Sequence, residues 1–124
     1  VRGQILAGAV RACHDVSDGG LLITVTEMAL AGDCGVQLSG ARDHAGWYGE
    51  DQSRYVLAVD NAPAVYAAAI AAGIPVEVIG TTGGRDLTLP DGDTISIADA
   101  RAMNEKFFPE WMAENRLTLT AHAD

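Results

Sequence analysis

Apolar positions recur at helical spacing near both ends of the chain and at strand spacing between them. Val1, Ile5, Leu6, Ala9 and Val10 predict a helix over residues 1–11, running into a short extended segment at Arg11–His14. The segment "GLLITVTEMALAG" sets Leu21, Val25, Met28 and Ala29 on one face and predicts a second helix. Its β-branched members Ile23, Thr24, Val25 and Thr26 lower its intrinsic helicity, and Gly32 reads as its C-terminal stop. Val36 and Leu38 alternate with polar neighbours as in a strand, and "RYVLAVD" predicts another. Between them "ARDHAGWYGEDQS" is polar, punctuated by glycine, and reads as a loop. Asn61 as N-cap, Pro63 in the first turn and Gly73 at the end bound a helix.

"IPVEVIGTTGG" then reads as a strand closed by a turn. Leu87–Leu89 and Thr94–Ile97 form a hairpin around "PDGD". Residues 98–115 predict a terminal helix that Pro109 bends or divides. The order implies an α+β (α/β layered) domain, a mixed β-sheet flanked by helices, over residues 1–116, with a ragged tail at 117–124.

Composition narrows the possibilities. Hydrophobic residues make up 48% of the 124 positions and charged ones 20%, as in a soluble domain with a core of its own. The absence of a long apolar run argues against a membrane helix, and the start does not read as a signal peptide. Helical spacing from a first residue that is Val rather than Met suggests a chain beginning inside a longer parent. Cys13 and Cys34, the only cysteines, are expected as reduced thiols in a cytoplasmic protein, with Cys13 buried. A net charge of −9 argues against a nucleic-acid surface, so a phosphate site would have to be local, built from backbone amides and a few cations.

The candidate chemistry lies in "ACHDVSDGGLL". Asp15, Ser17 and Asp18 can each cap a helix starting near Gly19 or Gly20, which makes the stretch a capped turn. Alternatively, the two glycines leave the first helical amides open to an oxyanion or phosphate. Asp15 and Asp18 would then meet hydroxyls or amides of the same ligand, or a cation accompanying it. His14 is a candidate acid, base or ligand, although the histidines lack zinc spacing. The loop matches neither the Walker A nor the dinucleotide pattern. A second polar cluster, "GEDQSRY", puts Glu50, Asp51 and Arg54 at the mouth of a strand.

Taken in order, "HDVSDGGL", "GEDQSRYVLAV", "IGTTGGRDLTL" and "NEKFFPEWM" resemble the C-terminal domain of the large-subunit formylglycinamidine ribonucleotide synthetases of purine biosynthesis. The resemblance covers nearly the whole chain. It implies the fold of the aminoimidazole ribonucleotide synthetase superfamily. It also implies a role in an ATP-, Mg²⁺- and glutamine-dependent conversion of a ribonucleotide amide to an amidine. The partners implied are an N-terminal ATP-binding domain of the same chain, which holds ATP and Mg²⁺, a glutaminase subunit and a small bridging subunit. Pairing of two such domains is a further expectation. Matched residue by residue, His14, Asp15, Ser17, Asp18, Gly19 and Gly20 would form a wall of the ribonucleotide site, joined by Glu50 and Arg54. "FFPEWM" would suit docking of the terminal helix. Nothing in the chain resembles the ATP-binding half, so the piece alone is expected to be inactive. The alternatives are another ATP-dependent synthetase of the superfamily, a non-catalytic ligand-binding module, or a purely structural role.

Overall fold

The apolar face of the second helix organises the molecule. In the computed structural model, which describes residues 1–120, β1 (Val10–Asp15) pairs antiparallel with β3 (Tyr55–Val59) as a two-stranded ribbon. A separate four-stranded sheet has the order β4 (Gly80–Thr82), β2 (Val36–Leu38), β5 (Asp86–Thr88), β6 (Thr94–Ser96). Within it β2 and β5 run parallel and the other neighbours antiparallel. Helix α2 (Gly20–Gly32) sends Leu21, Val25 and Ala29 into a core with Leu38, Leu87 and Ile97, so helix and sheet share one hydrophobic cluster. The class is α+β, with the strands divided between two sheets rather than gathered in one.

The β-branched run of α2 is carried by the packing of its apolar face, and its threonine hydroxyls find partners within the helix. Thr24 and Thr26 donate to the carbonyls of Gly20 and Leu22, one turn back, at 3.0 and 2.8 Å. The helix stops at Asp33, in the left-handed region at φ 46°, one residue beyond the expected Gly32. At the N-terminus, α1 covers only Arg2–Leu6, because the chain turns at Gly8 (φ 73°) and is extended from Val10. The stretch expected to be loop contains a short helix, α3 (His44–Tyr48), capped by Asp43, whose carboxylate accepts from the Gly46 amide at 2.8 Å. Helix α4 (Ala62–Ala71) follows its sequence signals, with Asn61 accepting from the Ala64 amide at 3.1 Å.

The strand expected over residues 74–84 is regular only at Gly80–Thr82, and β4 and β5 are not neighbours, since β2 lies between them. The hairpin of β5 and β6 forms as expected. Ser96 then caps α5 (Ile97–Thr120): its hydroxyl accepts from the Asp99 amide at 3.0 Å and meets the Asp99 carboxylate at 2.7 Å. This helix is continuous across Pro109 and extends through Thr120, where a tail was expected; residues 121–124 lie outside the described part. Its first turns dock through Ile97, Ala100 and Arg101, which donates to the Leu30 carbonyl at 2.5 Å. Phe107, Phe108 and Met112, expected to dock, are exposed. Cys13 is exposed as well, because the β1–β3 ribbon leaves most of β1 uncovered.

Candidate functional site

The two polar motifs meet because β1 and β3 are antiparallel. One motif follows Asp15 at the end of β1; the other precedes Tyr55 at the start of β3; and Asp15 and Tyr55 are register partners. The Val16 amide extends the pairing by donating to the Arg54 carbonyl at 2.9 Å. Between the motifs lies a cleft of about 330 Å³ lined by both, with Asp15, Ser17 and Asp18 on one wall and Glu50 and Arg54 on the other.

Helix α3 fixes the second wall. A Cβ on Gly20 (φ 72°) would lie 2.6 Å from the Tyr48 carbonyl carbon and 2.8 Å from the Trp47 oxygen, so α3 rests directly on the start of α2. Glu50 follows two residues later, and its carboxylate accepts from the Gly19 amide at 2.9 Å. The Gly20 amide donates to the Ser17 carbonyl at 3.0 Å. Both glycine amides are thus engaged within the protein, and the carboxylate at the head of α2 belongs to Glu50. None of Asp15, Ser17 or Asp18 caps the helix; its N-cap is Gly19, in the left-handed region at φ 81°.

Charge in the cleft is mostly negative. Arg54 is the one cation among its lining residues, half-buried and held by long contacts of 3.4 Å to the Gly49 carbonyl and the Asp51 carboxylate. A guanidinium held so loosely is able to turn toward an anionic ligand. Asp15 and Asp18 are exposed acceptors suited to hydroxyl or amide N–H groups. Among the described residues, neither joins a group of three His, Cys, Asp or Glu side chains that could hold a metal ion. At the opposite end of the β1–β3 ribbon, the hydrogen bond from Arg11 holds the Asp60 carboxyl below its ordinary range.

His14 does not line the cleft, although its Nδ1 lies 2.7 Å from the Asp15 carbonyl oxygen and 3.5 Å from the Asp15 carboxylate. It lines an apolar groove with Ala12, Cys13, Glu27 and Met28, and its Nε2 lies 3.5 Å from the Glu27 carboxylate. The cleft also contains residues that had not been singled out: Val16, Gln52, Ser53 and Tyr55. Of these, Ser53 stands at φ 66°, and its place inside "GEDQSRY" was the available signal.

The family described as AIR synthase related protein, C-terminal domain, matches residues 2–90. The chain belongs to this family. Over 117 residues it is 54% identical to the phosphoribosylformylglycinamidine synthase subunit PurL of Acidiphilium cryptum, a match covering 91% of the chain and 16% of that protein. The PurL subunits of Granulibacter bethesdensis and Rhodospirillum rubrum are 50% and 49% identical, covering 92% and 91% of the chain and 16% of each relative. This AIR synthase-related domain therefore spans about one-sixth of the length of the curated relatives it matches. Among the described residues no helix is long and apolar enough to cross a membrane.

Proposed function

We propose that the chain is the C-terminal substrate-binding domain of a cytoplasmic formylglycinamidine ribonucleotide synthetase, and that the cleft between the two motifs receives the ribonucleotide. The observation that carries this reading is the convergence of "HDVSDGG" and "GEDQSRY" on one cleft, in a chain about half identical to PurL subunits. Those identities favour this synthetase over other members of the superfamily. Arg54 supplies the positive charge for an anionic group of the ligand, and the Ser17 hydroxyl adds a donor. Asp15 and Asp18 accept from hydroxyl or amide groups. A phosphate reaches the Gly19 amide only by displacing Glu50.

ATP, Mg²⁺ and glutamine-derived ammonia enter through other parts of the enzyme, its ATP-binding domain and its glutaminase and bridging subunits. This domain by itself binds but does not catalyse.

In the full-length synthetase, Arg54→Ala should raise the KM for the ribonucleotide by about tenfold or more, the loss of a charge-assisted contact. The KM for ATP should stay within about twofold. Equal rises in both would assign Arg54 to general stability and remove the cleft from the ribonucleotide site.

A further inference from the structure

Thr24 is the fully buried polar side chain of the core, 1% exposed, and it was expected only as a residue that weakens a helix. Its hydroxyl lies 3.0 Å from the Gly20 carbonyl and 3.3 Å from the Asp15 carbonyl. Those two carbonyls stand at the two ends of the loop that carries Val16, Ser17 and Asp18. One hydroxyl proton, shared between them, therefore ties the end of β1 to the first turn of α2 from beneath. At 1% exposure the Thr24 side chain is shielded from bulk water, which strengthens the contact.

We propose that Thr24 is a positioning residue for the cleft: it touches no ligand, but fixes the separation of Asp15 and Gly20 and so aims Ser17 and Asp18 at the ribonucleotide. This rests on the proposed function of the cleft. Within the loop the Gly20 amide donates to the Ser17 carbonyl, and His14 Nδ1 lies 2.7 Å from the Asp15 carbonyl, but neither contact joins Asp15 to Gly20; the remaining supports come from the side. Glu50 holds the Gly19 amide and Arg54 the Val16 amide, and neither contact fixes the distance across the loop's base.

Two substitutions in the full-length synthetase separate positioning from stability. Thr24→Val keeps the branched shape and removes the hydroxyl; it should raise the ribonucleotide KM about threefold to tenfold with kcat little changed. Thr24→Ser keeps the hydroxyl and removes a buried methyl; it should lower Tm while KM stays within about twofold. Hydrogen exchange at the Ser17, Asp18 and Gly19 amides should be faster in Thr24→Val than in Thr24→Ser. The proposal is overturned if KM follows Tm in both variants, or if exchange in the loop is the same in both. If the wild-type enzyme does not turn over the ribonucleotide, the functional reading fails, and the exchange comparison alone then decides the positioning role.

Discussion

At Gly20 two constraints coincide: a left-handed φ of 72° and backbone atoms of α3 where a Cβ would stand. Substitution by Ala must strain one and clash with the other. Gly20→Ala should cost roughly 2–4 kcal/mol, read as a lowered urea midpoint with an unchanged slope. A cost under about 0.5 kcal/mol would mean that α3 does not rest on this residue. Sequence reading had offered the glycine pair either as part of a capped turn or as amides open to an anion; in the structure the amides are occupied and the missing Gly20 side chain makes room for a neighbouring helix. A local pattern reveals a requirement for glycine without saying which atoms approach it, because Tyr48 is distant in sequence. The same limit hid Glu50 as the acceptor at the head of α2, where three nearer candidates had the right chemistry and the wrong geometry.

Elements bounded by their own side chains were legible. Asn61 with Pro63 marked the start of α4, and "PDGD" marked the hairpin, since these signals act within a few residues. Helix α3 was missed although Asp43 caps it, because five residues with a central glycine carry too little periodicity to stand out from a loop. Ser96 and Asp99 set the start of α5 by the same short-range logic. Ser96→Ala should destabilise the chain by about 1 kcal/mol, measured by thermal or urea unfolding. No change would show that Ile97 and Ala100 dock the helix without its cap. On the β1–β3 ribbon, Arg11 donates to Asp60 at 2.7 Å and holds that carboxyl below its ordinary range. A depressed folded-state value means that the pair's contribution is present above the unfolded carboxylate range and is lost as pH falls through the folded value. Comparison of unfolding curves for the wild type and Asp60→Asn should give a difference that is small, because the pair is exposed, and that disappears on acidification. A difference that grows toward low pH would contradict the assignment.

Across the whole molecule, long-range pairing decides what the sequence could only suggest. The partition into a ribbon and a separate four-stranded sheet depends on β2 inserting between β4 and β5, a pairing over many residues that no short pattern encodes. The class was nonetheless readable, since the alternation of helices and strands survives any choice of partners. So was the cleft in outline: both motifs were recognised, and antiparallel pairing of β1 with β3 then brings the end of one beside the start of the other. His14 lies between the two surfaces: its Nε2 faces Glu27 at 3.5 Å while its Nδ1 lies 2.7 Å from the Asp15 carbonyl oxygen, a bridging position that spacing alone does not reveal.

The central claim is that the two motifs form one ribonucleotide site. It is tested most directly by titrating the isotope-labelled protein with formylglycinamide ribonucleotide and following its backbone amides by NMR. The account predicts that the amides of Ser17–Gly19 and of Glu50–Tyr55 shift together along one binding curve, while those of Glu27 and Met28, on the groove beyond His14, stay still. Shifts confined to one motif, or centred on the groove beside His14, would contradict it.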